Sequence, residues 1–356
     1  MRILHCIHSL SGGGAETQLA ILSREMHILG CSVAIFYVDG VPPHHEGVEY
    51  FHCEKGRYPF RLVGEIRKVV AYYKPDIIHA WLPATINIAA LIAGSLAHVP
   101  VLSSIRNRRQ IDGLLRLVSF ISTWILADMI VTNNAIEQSS MAYQRLFHAK
   151  NGLQINNAVV SPEEQKHRKC ADGDAVKFLF VGRLTKQKNL DMLIKALGKL
   201  RENIRFQLDI YGVGELEQWH KDEVENNGLC DMVVFKGYRN NVVDIMHKYD
   251  VLVLPSIYEG MPNVVVEALA AGLPALVSDI PAHTKLFTNN EVRFFESCNE
   301  ESLVECILDY LRNTSESEVM LNRSRDFIAS LNPHETAKKY VTAYNDLIEK
   351  WRSRGH

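Results

Sequence analysis

The sequence lacks the features that identify several large classes of protein. Its 39 lysines and arginines are balanced by 41 aspartates and glutamates, and a net charge of −2 excludes a general electrostatic attraction to nucleic acid. The seven cysteines are scattered and no two are spaced as Cys-x-x-Cys, which excludes a disulfide framework and a zinc site built on cysteine pairs. We therefore expect free thiols, a reducing compartment and no nucleic-acid partner.

Long uninterrupted apolar stretches are also missing. The longest, residues 114–131, is interrupted by Arg116 and Asp128. Burying either charge at the centre of a bilayer would cost about 3 kcal/mol, so we expect no transmembrane segment. The N-terminus runs straight into a strand-like segment, without the apolar stretch and cleavage site of a secretory signal. These absences predict a cytoplasmic protein, at most peripheral on the inner face of the cell membrane.

Strand and helix patterns alternate along the chain. Its 356 residues, 47% of them apolar, suffice for two domains. Apolar runs such as 101–105, 176–181, 251–254 and 275–278 predict buried strands. Stretches such as 190–200 and 242–248 predict helices that cover them. Residues 158–175 lack this periodicity and predict a linker. We therefore predict an α/β fold with two doubly wound, Rossmann-like domains, 1–160 and 175–332, that face a central cleft.

The most informative block spans residues 254–263 and precedes a predicted helix that carries Glu267. Pro262 suits a first helical turn, whose free N–H groups and dipole attract anions. Gly260 lets the main chain approach a ligand closely. Glu259 and Glu267 can both reach that ligand, and a carboxylate accepts hydrogen bonds from two vicinal hydroxyls of a ribose or hexose. The alternative is a capped helix with two surface glutamates.

Two further blocks follow strand ends. Arg183 and Lys188 come after a strand that ends at Gly182, and a planar guanidinium with a point charge suits a diphosphate. Residues 11–16 read Ser-Gly-Gly-Gly-Ala-Glu after the first strand, and main-chain N–H groups of such a turn cradle phosphates or sugars. This is not Gly-x-Gly-x-x-Gly, so no dinucleotide site is predicted. The alternative for Arg183 and Lys188 is a pair of solvated cations in a loop. The alternative for residues 11–16 is a glycine turn that serves only packing.

Together the three blocks resemble glycosyltransferase family 4, retaining enzymes of the GT-B fold, and its members in bacterial polysaccharide synthesis. The chain reads Gly-Gly-Ala-Glu over 13–16, Val-Gly-Arg-Leu over 181–184, and Glu-Gly-Met-Pro-Asn over 259–263 with Glu267 downstream. The resemblance covers essentially the whole chain in order. It implies that a closing helix over 334–351 packs back on the first domain.

The resemblance also implies an activity and its substrates. A hexose or N-acetylhexosamine would move from a nucleotide diphosphate sugar, UDP-linked by preference, to a glycan or polyprenyl-diphosphate-linked acceptor in surface polysaccharide or lipopolysaccharide synthesis. The reaction would retain the anomeric configuration and need no metal and no cofactor besides the donor. Two other functions stay open: a sugar-nucleotide 2-epimerase of the same fold, and a non-catalytic sugar-nucleotide-binding subunit.

Residue roles carry over from the family's motifs. Arg183 and Lys188 would hold the donor diphosphate, and Glu267 would bind the ribose hydroxyls. With these two cations, Glu259 completes the predicted catalytic set. The residues expected at the donor are Gly13, Gly14, Arg183, Lys188, Tyr238, Glu259, Gly260, Met261, Pro262, Asn263 and Glu267.

Three places depart from the family's pattern. Arg106 and Asn107 stand where many members carry a histidine, and an arginine cannot act as a general base. Residues 157–158 read Asn-Ala where the hinge commonly reads Asn-Gly. His79 precedes Trp81 where a second histidine is common. We assign Arg106, Asn107 and His79 to the acceptor; a buried histidine at a strand end is the alternative for His79.

Two remaining patterns suggest an ion and a membrane. Asp172 and Asp174 resemble the metal-binding Asp-x-Asp of the other large glycosyltransferase fold, but they lie in the predicted linker, so no metal site is predicted. Basic residues near an apolar helix suit an anionic membrane surface or a lipid diphosphate. They are Lys55, Arg57, Arg61, Arg67, Lys68, Arg106, Arg108, Arg109 and Arg116. The alternative is a buried helix flanked by solvated cations.

Overall fold

The computed structural model divides the chain into two units. It describes residues 1–11, 14–42, 45–54, 59–82, 85–106, 114–133, 141–160 and 174–355. Unit 1 comprises Met1–Ala158 and Leu331–His356, and unit 2 comprises Val159–Ser330. Within the described residues, no helix is both long enough and apolar enough to cross a bilayer.

Unit 1 is built on a parallel sheet with the strand order β3-β2-β1-β4-β5-β6-β7. Its strands are β1 (Arg2–Cys6), β2 (Ser32–Tyr37), β3 (Val48–His52), β4 (Ile77–Trp81), β5 (Val101–Ile105), β6 (Met129–Thr132) and β7 (Leu153–Gln154). Its helices are α1 (Gly14–Ile28), α2 (Pro59–Tyr73), α3 (Thr85–Ala97), α4 (Leu114–Leu126), α5 (Met141–Ala149) and the closing helix α12 (Pro333–Ser353).

Both faces of this sheet are buried. Because successive side chains of a strand point to opposite faces, neighbouring residues of β1 belong to different cores. Ile3 of β1 packs in one core with Leu19 of α1 and Tyr344 of α12. Its neighbour Leu4 packs in a second core with Leu62 of α2 and residues of α3. Helices thus cover each face, which explains why the strands are almost entirely apolar in sequence.

The closing helix begins at a capped turn and returns to unit 1. The Asn332 side chain accepts a hydrogen bond from His334 N at 2.8 Å, and Pro333 occupies the first helical position, where its missing N–H has no partner to lose. Ala337, Tyr340 and other residues on one face of α12 are buried against α1 and the sheet.

Unit 2 has a second parallel sheet, with the strand order β10-β9-β8-β11-β12-β13. Its strands are β8 (Val176–Val181), β9 (Phe206–Tyr211), β10 (Val233–Gly237), β11 (Val251–Leu254), β12 (Ala275–Ser278) and β13 (Arg293–Phe295). Its helices are α6 (Leu190–Leu200), α7 (Glu217–Asn226), α8 (Asn263–Ala270), α9 (Pro281–Thr284), α10 (Glu300–Arg312) and α11 (Thr314–Ser330). Short 3₁₀ segments occupy Lys186–Lys188 and Val242–Lys248.

The predicted α/β class is confirmed, since each unit contains a doubly wound parallel sheet. Among the strands and α-helices, three were not predicted from sequence: β3, α5 and the short helix α9. β3 lies at the edge of its sheet and is only half-buried, so its residues lack the continuous apolar run of a central strand. The segment Val242–Lys248 was predicted as an α-helix and is instead a 3₁₀ helix.

Candidate active site

The residues predicted to bind the donor in unit 2 follow three strands of its sheet. Arg183 comes after β8, Tyr238 after β10, and Glu259 after β11. All the strand pairs that connect these three strands are parallel, so their carboxyl ends lie at one edge of the sheet. Ligands of open α/β sheets bind at that edge. The structure therefore brings the three predicted loops to the expected side of unit 2.

The loops after β8 and β9 are held together by their main chains. Leu184 N donates a hydrogen bond to Val213 O at 3.1 Å. Gly212 has a φ of +145°, and a Cβ atom at this position would collide with the carbonyl oxygen of Gly182. Only glycine permits this approach without strain. The close contact fixes the segment that carries Arg183.

Lys188 and Glu259 are in direct contact. The Lys188 Nζ lies 2.5 Å from Glu259 Oε1, and their side chains are only 14% and 7% exposed. Ser256 Oγ donates to the same carboxylate oxygen at 2.6 Å, and Gln187 Nε2 donates to the other at 3.3 Å. The carboxylate therefore accepts one charged and two neutral hydrogen bonds within a largely buried setting. Sequence analysis assigned both residues to one ligand but did not predict that they bind each other.

Glu267 lies on α8, where the positive charge of Lys188 also acts on its carboxylate. Burial raises the pKa of Glu267 above its ordinary value, and the nearby positive charge of Lys188 opposes that rise. The helix begins at Asn263, directly after Pro262, and Met261 is buried in the loop before it. The structure thus places both predicted carboxylates, Glu259 and Glu267, near one cation.

Two other predicted donor residues are exposed at this edge. The Tyr238 side chain is 60% exposed, and its hydroxyl donates to Asn240 Oδ1 at 2.7 Å. Arg183 is exposed as well, so the donors of its guanidinium are accessible to a ligand. Gly260 is half-buried in the loop after β11.

Sequence analysis missed His283, which lies on α9 behind this edge. The ring is fully buried, and its Nδ1–H donates to the carbonyl oxygen of Ser278 at 2.7 Å. Burial lowers the pKa of His283 to about 4, so the ring is neutral at neutral pH. The Ser278 hydroxyl donates to Ser256 O at 2.6 Å, which links His283 to the residue that binds Glu259. No local signal identifies this histidine, because the link depends on the pairing of β11 with β12.

Several predicted residues of unit 1 and one of the linker lie outside the described residues. They are Gly13 and Asn107 of the site, Asp172 of the linker, and Lys55, Arg57, Arg108 and Arg109 of the basic surface, together with the side chain of Arg116. Gly14 is described: it is the first residue of α1 and is exposed.

His79, predicted at the acceptor, belongs to a buried network. Its ring is fully buried, and its nitrogens form hydrogen bonds with Tyr344 Oη at 2.7 Å and Ser104 Oγ at 2.6 Å. Burial, His5 and the positive charge of Arg106 all lower the pKa of His79 well below its ordinary value. The ring is therefore neutral and joins β4 and β5 to the closing helix. Its role toward an acceptor stays a prediction.

Arg106 is buried rather than on the surface, which corrects its inclusion among the surface cations. Its guanidinium donates to Tyr340 Oη at 2.7 Å and to Asn157 Oδ1, and it stacks 4.2 Å from the centre of the Trp81 ring. The residue after Asn157, Ala158, is held on both its N–H and its C=O by the Gln18 side chain. Arg106 and Gln18 thus fix the predicted hinge segment to unit 1.

The chain is similar to known proteins in its family motifs, its sequence and its fold. The family model described as Glycosyltransferase Family 4 matches residues 12–143, and that described as Glycosyl transferases group 1 matches residues 162–327. The putative glycosyltransferase EpsF of Bacillus subtilis is 28% identical over 317 residues, 78% of this chain and 79% of the relative. A Campylobacter jejuni enzyme is 26% identical over 334 residues, 88% of this chain and 89% of its own. Its name is GalNAc-alpha-(1->4)-GalNAc-alpha-(1->3)-diNAcBac-PP-undecaprenol alpha-1,4-N-acetyl-D-galactosaminyltransferase.

Among solved structures, HepE of Anabaena in complex with UDP and glucose superposes with a TM-score of 0.77 at 16% identity, covering 97% of this chain and 100% of HepE. The two Rossmann-like parallel sheets and these matches define a glycosyltransferase of the GT-B fold. The chain belongs to glycosyltransferase family 4, which confirms the resemblance seen in its sequence motifs.

Proposed function

We propose that the protein transfers a hexose or N-acetylhexosamine from a UDP-sugar, with retention, to a glycan or polyprenyl-diphosphate-linked acceptor in surface polysaccharide synthesis. The contact of Lys188 with Glu259 carries this proposal, because it joins a cation suited to a diphosphate with a carboxylate suited to sugar hydroxyls. The Anabaena neighbour was solved with UDP and glucose, and the Campylobacter relative is named for an undecaprenol-linked acceptor. Both support the proposed substrates.

The residues of unit 2 divide the donor between them. Arg183 and Lys188 bind the diphosphate and stabilise the negative charge that develops as it leaves. Glu259 accepts hydrogen bonds from the transferred sugar, with the main chain of 260–263, and Glu267 accepts them from the ribose. Tyr238 lies beside the base.

Catalysis rests on positioning and on the leaving group. The acceptor hydroxyl enters on the face from which the diphosphate departs. Its oxygen bonds to the anomeric carbon as the bond from that carbon to the phosphate oxygen breaks, and its proton passes to the departing diphosphate oxygen. The Glu259 carboxylate is held by the Ser256 hydroxyl and the Gln187 amide, which makes it a poor nucleophile. Stabilisation of the diphosphate is therefore the main contribution of the protein. Metal independence belongs to this proposal, since the two cations take the place that a divalent ion has in other transferases.

We further propose peripheral contact with anionic membrane through unit 1. Four apolar residues of α4, Val118, Ile121, Ile125 and Leu126, are exposed. Helix α3 packs against both α4 and α2, and α2 exposes Arg61 and Arg67. Apolar and basic groups on neighbouring helices suit a surface of anionic lipid. Flotation with vesicles of phosphatidylglycerol at low salt tests this: the wild type should float and Ile125→Glu should not, whereas a wild type that stays in the soluble fraction contradicts it.

Donor binding is the test of the proposed activity. Melting temperature is measured with UDP, GDP and ADP and with their sugars, in the presence of chelator and without acceptor. Selective stabilisation by UDP, with slow hydrolysis of one UDP-sugar, is the expected result, because a ligand that binds only the folded state raises its stability. Stabilisation by GDP or ADP instead would correct the donor base, and no stabilisation by any nucleotide would contradict the activity.

A further inference from the structure

Lys188, a cation proposed to bind the diphosphate, is already paired with an anionic side chain of the protein itself. Lys188 Nζ and Glu259 Oε1 lie 2.5 Å apart, and both side chains are largely buried. A carboxylate and an ammonium at this distance neutralise each other, so the free site offers a diphosphate less positive charge than its residues suggest. The donor must therefore compete with Glu259 for the ammonium.

The two partners differ in how firmly they are held. Glu259 is also bound by Ser256 Oγ at 2.6 Å and by Gln187 Nε2 at 3.3 Å, which fix its carboxylate to neighbouring loops. The Lys188 side chain lies across Gly182, where a Cβ atom would come within 3.1 Å of its Cε. Its stem thus passes beside the loop that carries Arg183. Among the described residues the Lys188 ammonium bonds Glu259 alone, so we expect Lys188 to be the partner that turns while Glu259 stays in place.

We propose that the donor diphosphate draws Lys188 away from Glu259, and that a hydroxyl of the donor sugar takes the acceptor position that the ammonium vacates. This inference rests on the proposed function and explains how the two halves of the donor are recognised together. A nucleotide diphosphate without its sugar breaks the ion pair and leaves Glu259 short of one hydrogen bond. A complete donor replaces that bond with a hydroxyl, so it is preferred over the released product.

A second carboxylate increases the cost of moving the ammonium. The positive charge of Lys188 also acts on Glu267 of α8, so departure of Lys188 leaves two carboxylates with less compensation. Hydroxyls of the sugar and of the ribose are the groups that can supply it. Binding of the sugar and the ribose at Glu259 and Glu267 is therefore coupled to binding of the diphosphate at Lys188.

The test is Glu259→Gln, with binding measured by isothermal titration calorimetry. The probes are inorganic pyrophosphate, UDP, UDP-glucose and UDP-N-acetylglucosamine. Because the ammonium loses its internal anion, the variant should bind pyrophosphate and UDP about tenfold more tightly than the wild type. The preference of the wild type for a UDP-sugar over UDP should shrink by a similar factor.

A matched control is Glu217→Gln, which removes the carboxylate of an exposed pair with Lys221 on α7 and should change no affinity. Ser256→Ala keeps the Glu259 charge and should leave pyrophosphate binding within about twofold of the wild type. Glu259→Ala has the same expected result as Glu259→Gln and serves if the glutamine variant does not fold.

Failure of this inference differs from failure of the proposed function. If the wild type binds UDP and Glu259→Gln binds pyrophosphate and UDP equally or more weakly, the exchange is refuted while the donor assignment stands. Glu259 would then act by orienting Lys188 toward the diphosphate. If the wild type binds none of the four probes, both are refuted.

Discussion

Removal of the Tyr344 hydroxyl should destabilise unit 1 without changing its packing. Tyr344 lies on the closing helix, is fully buried, and bonds His79 Nδ1 at 2.7 Å. The other ring nitrogen of His79 is bonded to Ser104, so the ring has no other partner to turn toward without losing that bond. Tyr344→Phe keeps the ring that packs against the core and leaves one histidine nitrogen buried and unpaired.

The expected cost follows from that single unpaired group. A buried polar atom left without its partner costs about 1–3 kcal/mol. For a unit of this size, each kcal/mol lowers the melting temperature by about 2–4 °C, so we expect a decrease of about 2–12 °C. The pKa of His79 is lowered well below its ordinary value by burial and by Arg106, so the loss should be the same at pH 6 and pH 8.

The measurement is differential scanning calorimetry of the wild type, Tyr344→Phe and Tyr72→Phe. Tyr72 is 73% exposed on α2, so its variant should melt with the wild type. A Tyr344→Phe variant that melts at the wild-type temperature would refute the network as a source of stability. A loss that appears only at acid pH would show that His79 titrates, contrary to its surroundings.

Three further predictions concern unit 2. Arg183→Ala should lower kcat about 100-fold or more in a UDP-release assay and leave the melting temperature unchanged, because Arg183 is exposed and its proposed role is to stabilise the leaving diphosphate; equal activity would contradict that role. Burial raises the pKa of Glu267, so the charged carboxylate opposes folding at pH values above this raised pKa. At pH values below the ordinary pKa of a glutamate, the carboxyl group is protonated in both the folded and the unfolded protein and has no such effect. Glu267→Gln should therefore melt higher than the wild type at pH 7 and equally near pH 4, while UDP binds it more weakly by calorimetry. The pKa of His283 is lowered from 6.5 to about 4, so its contribution to stability is complete above pH 6.5 and is lost as pH falls toward 4. Between pH 7 and pH 5, the free energy of unfolding measured in urea should fall by about 2 kcal/mol more in the wild type than in His283→Gln. An equal decrease in both proteins would contradict a buried neutral ring.

Central strands were the elements that sequence predicted best. The predicted strands 176–181, 251–254 and 275–278 coincide with β8, β11 and β12, because strands buried on both faces are continuous apolar runs. The edge strand β3 contains only half-buried and exposed residues and gives no such run. Its position is set by its pairing with β2, which no local pattern expresses.

The site was predicted as a set of residues but not as a set of contacts. Arg183, Lys188, Glu259 and Glu267 were chosen because charges that follow strand ends suit a diphosphate and its sugar. The ion pair of Lys188 with Glu259 joins residues 71 positions apart and depends on the adjacency of β8 and β11. Spacing along the chain therefore could not predict it.

The burial of Arg106 has the same explanation. Its partners Asn157 and Tyr340 lie 51 and 234 positions away, and Tyr340 reaches it only because the closing helix returns to unit 1. From sequence, an arginine after a strand and before further basic residues is typical of a surface cluster. The long-range packing of α12 determines the outcome instead.

The central claim is sugar transfer with retention, and its most direct test is the product itself. The protein is incubated with the UDP-sugar that stabilises it most and with a polyprenyl-diphosphate-linked sugar, and the anomeric proton of the new linkage is recorded by NMR. The account predicts a sugar on the acceptor with the anomeric configuration it had in the donor, formed by the wild type and not by Arg183→Ala. An inverted linkage would contradict retention, and epimerisation of the UDP-sugar without transfer would contradict the proposed function.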